Sequence, residues 1–188
     1  LDKRDRAIIA FLYLTGVRED ALISLKFKSI DRDLFVEQFP NEGVRTKFSK
    51  KILTVIFNLN SRLYETVREW IDYLRSKNFS DDDPLFPKTI NTQYDSEMVL
   101  FPFMNELSKR FFENPNAINQ MLQRRCAKAG LKYFSPHAYR HPHLLDISLF
   151  TQNGKQFKAL SQSAGHEDIR TTLETYGVMQ TFELKQQL

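Results

Sequence analysis

Apolar positions follow two different rhythms along this chain, and the switch between them outlines its elements. Residues 5–15 carry Ile8, Ile9, Phe11, Leu12 and Leu14 with so little polar interruption that they predict a helix buried on most sides. Gly16 stops it, because glycine accepts the left-handed backbone that closes a helix. Ala21, Leu22 and Leu25 then give a short second helix its inward face, and residues 31–33 read as a turn. From there the period shortens. Residues 34–39, 44–46 and 51–57 are strand candidates, the last rich in β-branched side chains. Residues 62–77 return to helical spacing, with Leu63, Val67, Trp70, Ile71 and Leu74 on one side. Residues 80–87, with three successive Asp and two Pro, are a surface loop. Further helices are predicted over 101–112, 115–129, 157–163 and 169–174, and Ser135-Pro136 has the form of a helix start. The class is mainly α with a small antiparallel β-sheet near the N-terminal part, and 188 residues suffice for one domain, 1–188, with a real core.

Composition narrows the function by exclusion. No apolar run is long enough to span a bilayer. The single cysteine, Cys126, rules out an internal disulfide and a cysteine-rich metal site, and it reads as a small core residue. A formal net charge of +4 is compatible with nucleic acid. The distribution says more. Between Val44 and Arg62 the charged residues are Arg45, Lys47, Lys50, Lys51 and Arg62, with no acid among them. A second basic stretch holds Lys109, Arg110, Arg124, Arg125, Lys128 and Lys132 against Glu113 alone. Such clusters suit phosphate contacts, though a solvated basic face has the same composition.

Three segments carry candidate chemistry. In Thr15-Gly16-Val17-Arg18, an arginine opens a helix just after a glycine, where it can point into a cleft. In Ser135-Pro136-His137-Ala138-Tyr139-Arg140-His141, His137 and Arg140 share one face at a helix N-terminus, where the dipole and free N–H groups favour an anion. The third runs from Ala164-Gly165-His166 to Glu174-Thr175-Tyr176, a His after Gly, then a short helix, then a Tyr just past its end. Singly, each has an ordinary explanation: a surface arginine, a capped helix with a core histidine, a packing tyrosine.

Their order changes the reading. T-G-x-R, a hairpin lysine, H-x-x-R, G-H and Tyr, from about Asp5 to Gly177, resemble the tyrosine site-specific recombinase and phage integrase family. The resemblance implies that family's catalytic-domain fold and metal-independent cleavage and rejoining of double-stranded DNA. By position, its two active-site arginines match Arg18 and Arg140, its histidines His137 and His166, and its nucleophile Tyr176. Its lysine best matches Lys47, with Lys50 and Lys51 near enough to compete.

Physical chemistry supplies a reason for each residue. Charge builds on the non-bridging oxygens as a phosphodiester is attacked, and two guanidiniums can hold those oxygens, so no metal or cofactor is expected. A phenol with a pKa of about 10 needs a base or a positive field, and His137 is the candidate base. Lys47 is placed to protonate the leaving 5′ oxygen, and His166 to hydrogen-bond a phosphate oxygen. The resemblance further implies a 3′-phosphotyrosyl intermediate, a homo-tetramer on DNA with a monomer for the isolated domain, and a bacterial cytoplasmic or nucleoid location. It also implies an N-terminal DNA-binding domain outside this chain. Residues 178–188 are then either a C-terminal exchange segment or a frayed tail.

Two departures stand out. Many relatives carry an acid three residues after the first arginine, where this chain has Ala21, so the support for Arg18 is expected from Glu19, from Asp20 or from elsewhere in the chain. Pro142 predicts a kink or break in its helix, and its neighbours His141 and His143 make only a weak case for a metal site. These departures keep a degenerate DNA-binding module of the same fold as an alternative. A type IB topoisomerase, which shares phosphotyrosine chemistry, is the other.

Overall fold

The first helix has apolar residues on nearly every side because two other helices cover it. In the computed structural model, which describes residues 2–31, 34–89, 107–149, 151 and 153–165, α1 (Asp2–Thr15) packs against α3 (Ser61–Ser76) and α5 (Pro136–Ser148). Ala7, Ile8, Ala10, Phe11, Leu12 and Leu14 are all fully buried. α3 contributes Val67, Trp70, Ile71 and Leu74, the stripe its spacing predicts, and its start is fixed by the Asn60 side chain accepting from the Leu63 N–H at 3.1 Å. The Trp70 indole N–H donates to the Leu85 carbonyl at 2.9 Å, so the buried ring has its polar end satisfied.

Between these helices lie a one-turn α2 (Glu19–Leu22) and a two-stranded antiparallel sheet, β1 (Phe35–Gln38) with β2 (Ile52–Val55). The register sets Phe35 opposite Val55 and Gln38 opposite Ile52. Phe57 N–H donates to the Leu14 carbonyl at 3.3 Å, which straps the exit of β2 to the end of α1. The remaining helices are α4 (Asn116–Lys128) and α6 (Gly154–Ser163). The Cys126 side chain is buried, as its sequence context predicts.

Four expectations need correction. Residues 44–46 are not a strand: Val44 is buried, its N–H goes to Phe39, and Arg45 N–H donates to the Ser24 hydroxyl at 2.8 Å, so the backbone donors are spent on local and tertiary partners. Residues 107–112 are not helical. They run beside residues 88–89, with Lys88 N–H donating to Arg110 O at 2.9 Å and Ser108 N–H to Lys88 O at 2.8 Å. Residues 101–106 of that expected helix, and the whole of 169–174, lie outside the described residues. α6 starts three residues before the predicted 157, because the Asn153 carboxamide accepts from both Lys155 and Gln156 N–H. The break allowed for at Pro142 does not occur, and α5 runs on to Ser148. A proline there necessarily gives up one helical hydrogen bond, but Leu144 and Ile147 just beyond it are buried, and that packing holds the rest of the helix in place.

Candidate active site

The site is organised around the turn at Gly16. The Thr15 hydroxyl donates to the Phe11 carbonyl at 2.6 Å and accepts from Val17 N–H at 3.3 Å, so one side chain both ends α1 and starts the turn. Gly16 has φ +59, and a Cβ placed on it would lie 2.6 Å from the His143 ring. Backbone conformation and packing both demand glycine. Val17 is buried, and Arg18 becomes the residue preceding α2 with extended backbone, directed outward from the core.

Arg140 is the keystone. Only 5% exposed, it donates from Nη1 to the Gly16 carbonyl at 2.6 Å and from Nη2 to the Ala164 carbonyl. One guanidinium on α5 thus joins the Thr-Gly-Val-Arg turn to the Ala-Gly turn ending α6. Both of these partners are neutral and anchor the side chain without cancelling its charge. A guanidinium has five donors in a planar fork, enough to bind carbonyls and a phosphate oxygen together. Gly165 repeats the logic of Gly16: φ is +68, and a Cβ would meet Ile52 at 2.5 Å and the Arg18 Nη1 at 3.5 Å. The Ala-Gly turn therefore reaches Arg18 as well as Arg140.

Arg18 shares a cleft of about 370 Å³ with Asp20, Ala21, Gln38, Arg45, Thr46, Lys47 and Ile52. Burial pulls the Arg18 pKa below its ordinary value, the signature of a cation partly stripped of water. Its attraction for an anion is strengthened accordingly. Neither expected acid holds it. Among the described residues no carboxylate pairs with Arg18, and Glu19 instead accepts from the Asn119 carboxamide at 3.3 Å. Ala21 lies on the cleft wall, and Asp20 lines the same cleft without pairing with Arg18.

Lys47 stands at the opposite lip, in the turn Lys47–Ser49 between β1 and β2. Its Nζ lies 5.0 Å from the Phe48 ring centroid. Lys50 also lies over Phe48, at 5.3 Å, and Lys51 lies over Phe39 at 6.0 Å. Of the three lysines weighed, only Lys47 lines the cleft of Arg18; Lys50 and Lys51 line a neighbouring one with Gly165.

The structure thus ties Arg140 to both the Gly16 and the Ala164 turns, sets Arg18 beside Gly165, and places Lys47 on the cleft that Arg18 lines. His137, on the first turn of α5, is exposed while Arg140 is buried, so the shared helical face divides into an outer and an inner part. His166 and Tyr176 lie outside the described residues. His141 is exposed and His143 buried, so the two do not converge on a metal. Two residues of the second basic stretch are committed to structure. Arg125 holds Asp5 at 2.7 Å and Lys109 holds Asp83 at 2.7 Å. Sequence reasoning missed Arg45 and Gln38 as cleft residues. The acid-free run from Val44 points to the first; nothing in the sequence marks the second. It also missed His143, which sits under Gly16 with its Nδ1 unpartnered among the described residues. Burial pushes its pKa down to about 4, with Arg140 adding to the shift and a hydrogen bond to the Tyr13 backbone and the charge of Asp146 opposing it.

This architecture has known counterparts. The chain is 29% identical over 175 residues to tyrosine recombinase XerC of Lactobacillus leichmannii, covering 92% of this chain and 50% of that protein. Tyrosine recombinase XerD of Staphylococcus saprophyticus is 27% identical over 173 residues, covering 90% of this chain and 48% of its own length. The chain spans about half the length of these curated relatives. Among solved structures, XerA recombinase superposes with a TM-score of 0.63 at 22% identity, over 99% of this chain and 55% of that one. XerH recombinase bound to a palindromic difH substrate gives 0.60 at 17% identity, over 98% and 44%. The phage integrase family model matches residues 1–181, and the chain belongs to that family.

Proposed function

We propose that this chain is the catalytic domain of a tyrosine recombinase that cuts and rejoins double-stranded DNA at specific sites. The observation that carries the reading is Arg140 joined to both the Gly16 and the Ala164 carbonyls, with Arg18 and Lys47 on the adjoining cleft. Arg140 is tethered by neutral backbone carbonyls, and Arg18, which also reaches the Ala-Gly turn, shares its cleft with Lys47.

The chemistry follows from the groups. Arg18 and Arg140 hold the non-bridging oxygens of the scissile phosphate and stabilise the charge that develops on them. The Tyr176 oxygen attacks phosphorus as its proton passes to His137. The new O–P bond forms as the P–O5′ bond breaks, and Lys47 protonates the departing 5′ oxygen. His166 donates a hydrogen bond to a phosphate oxygen. The 3′-phosphotyrosyl bond conserves the energy of the phosphodiester, so attack by a 5′-hydroxyl reverses the step without ATP. The working assembly is a homo-tetramer on DNA, completed by a domain that grips the opposite side of the duplex.

The test is a covalent adduct. A pool of nicked duplexes with randomised sequence, incubated with the protein and resolved under denaturing conditions, is expected to yield a protein–DNA species that Tyr176→Phe abolishes. An adduct that survives Tyr176→Phe assigns the nucleophile elsewhere. DNA retention with no adduct from the wild type in its full-length context favours the degenerate binding module.

A further inference from the structure

The tip of the β1–β2 connection holds a side chain that folding does not account for. Phe48 is 75% exposed, the largest exposure of any big apolar residue described. It also occupies left-handed backbone, φ 60 and ψ 27, which glycine adopts freely and an aromatic residue does not. Ser49 follows at φ 51. The conformation is held from outside Phe48: the Thr46 hydroxyl donates to the Lys50 carbonyl at 2.6 Å, and Ser49 N–H donates to Thr46 O at 3.2 Å. A single exposed apolar residue is unremarkable, but this one combines exposure with an unfavourable backbone, and no burial offsets either. Its only described neighbours of note are the ammonium groups of Lys47 and Lys50, at 5.0 and 5.3 Å.

We infer that Phe48 is a DNA-contacting residue whose ring enters the minor groove beside the phosphate held by Arg18, carrying Lys47 and Lys50 to the flanking strands. The inference rests on the proposed DNA substrate. Charge complementarity selects the occupant, since the run from Val44 to Arg62 contains five cations and no acid. Groove width selects the location: the major groove, about 12 Å wide, admits a whole ribbon, whereas the minor groove, about 6 Å wide, fits one ring between two cations. Aromatic wedges entering that groove unstack a base step, most easily a pyrimidine–purine step. Phe48 would thereby make a sequence preference out of deformability. Without DNA the ring gathers the two ammonium groups; on DNA they turn to phosphates and expose its face.

The contribution is apolar, so it can be separated from that of the lysines. The measurement is fluorescence anisotropy of a labelled mixed-sequence duplex with this chain across a salt series. Phe48→Gly is expected to weaken binding about ten-fold, the typical loss of one base–aromatic contact, with the slope of log affinity against log salt unchanged. Lys47→Ala is expected to reduce that slope by about 0.9. Thermal unfolding of Phe48→Gly should be unchanged or raised, because glycine relieves the backbone, which excludes misfolding as the cause. Wild-type affinity in Phe48→Gly overturns the inference alone. A reduced slope in that variant also overturns it, since the ring would then act through the lysines' charge. If the wild-type chain retains no duplex even at low salt, the proposed DNA substrate fails, and this inference with it.

Discussion

Arg140 and Lys47 are both candidate site residues, yet the fold treats them oppositely. Arg140 is buried, with two backbone carbonyls from distant turns on its guanidinium. Lys47 stands on a turn with an exposed aromatic ring against its ammonium group. The arginine is set in place by folding itself, because its guanidinium is buried between the two turns it joins. The lysine is placed by a local turn and waits for a partner. Under the proposed function, in which Arg140 cradles the phosphate and Lys47 donates the proton, a fixed cradle and a loose donor make chemical sense. Phosphate oxygens need donors fixed before the reaction begins, whereas a general acid only has to arrive at the leaving oxygen.

Substitutions at the two positions should therefore separate folding from chemistry. The largest effect is expected from Arg140→Ala. Adduct formation should fall at least ~10²–10³-fold, and stability by about 2–3 kcal/mol for the lost charge-assisted hydrogen bonds. Adduct yield and the urea midpoint measure the two. Arg140→Lys should recover charge but not both tethers, so an unfolding midpoint equal to wild type would break the keystone argument. Gly16→Ala tests the Arg140–Gly16 tether from the other side. With φ +59 and the His143 ring 2.6 Å from a new Cβ, it should cost about 3 kcal/mol. An unchanged midpoint would show that the ring can move aside.

His143 sharpens the comparison through pH. Its folded pKa of about 4 lies below the ordinary value of 6.5, so the unfolded chain binds more protons between these limits. Stability is full above pH 6.5 and is lost as pH falls toward 4, by about 3 kcal/mol at the lower limit. His143→Phe keeps an aromatic ring beneath Gly16 and removes the proton site. Its urea midpoint should vary less over that window, and an undiminished acid slope would assign the effect to another group. Lys47→Ala should give the smallest change in folding, under about 0.5 kcal/mol, as befits an exposed side chain. Cleavage should nevertheless drop ~10²-fold or more, with partial recovery on a substrate whose leaving oxygen is replaced by a better leaving group. A loss of stability as large as that of Arg140→Ala would erase the distinction.

How far these features could be read in advance depended on the range of the interactions. The α3 stripe Val67, Trp70, Ile71 and Leu74 is periodic, so it was legible residue by residue. The start of α6 was legible in principle, since Asn153 before Gly154 is a capping signal. The extended course of residues 107–112 was not. Their backbone groups are satisfied by residues 88–89, some twenty positions away, and an apolar stretch read locally suggests helix. Pro142 misled for a related reason: local sterics oppose a helix there, and burial of Leu144 and Ile147 outweighs them.

The sequence by itself determined which chemistry is available. The ordered set of Arg18, Lys47, His137, Arg140, His166 and Tyr176, the acid-free basic run and the glycines at 16 and 165 are properties of residue type and spacing. Only the tertiary structure decided how they are deployed. It set Arg140 inside and His137 outside on one helical turn, gave Lys47 rather than Lys50 or Lys51 the cleft of Arg18, and left Arg18 without the carboxylate expected from its neighbours. Spacing along a helix says which side chains share a face. Which part of that face is covered depends on the elements packed against it, here the Gly16 turn and the end of α6, more than a hundred residues apart in the chain.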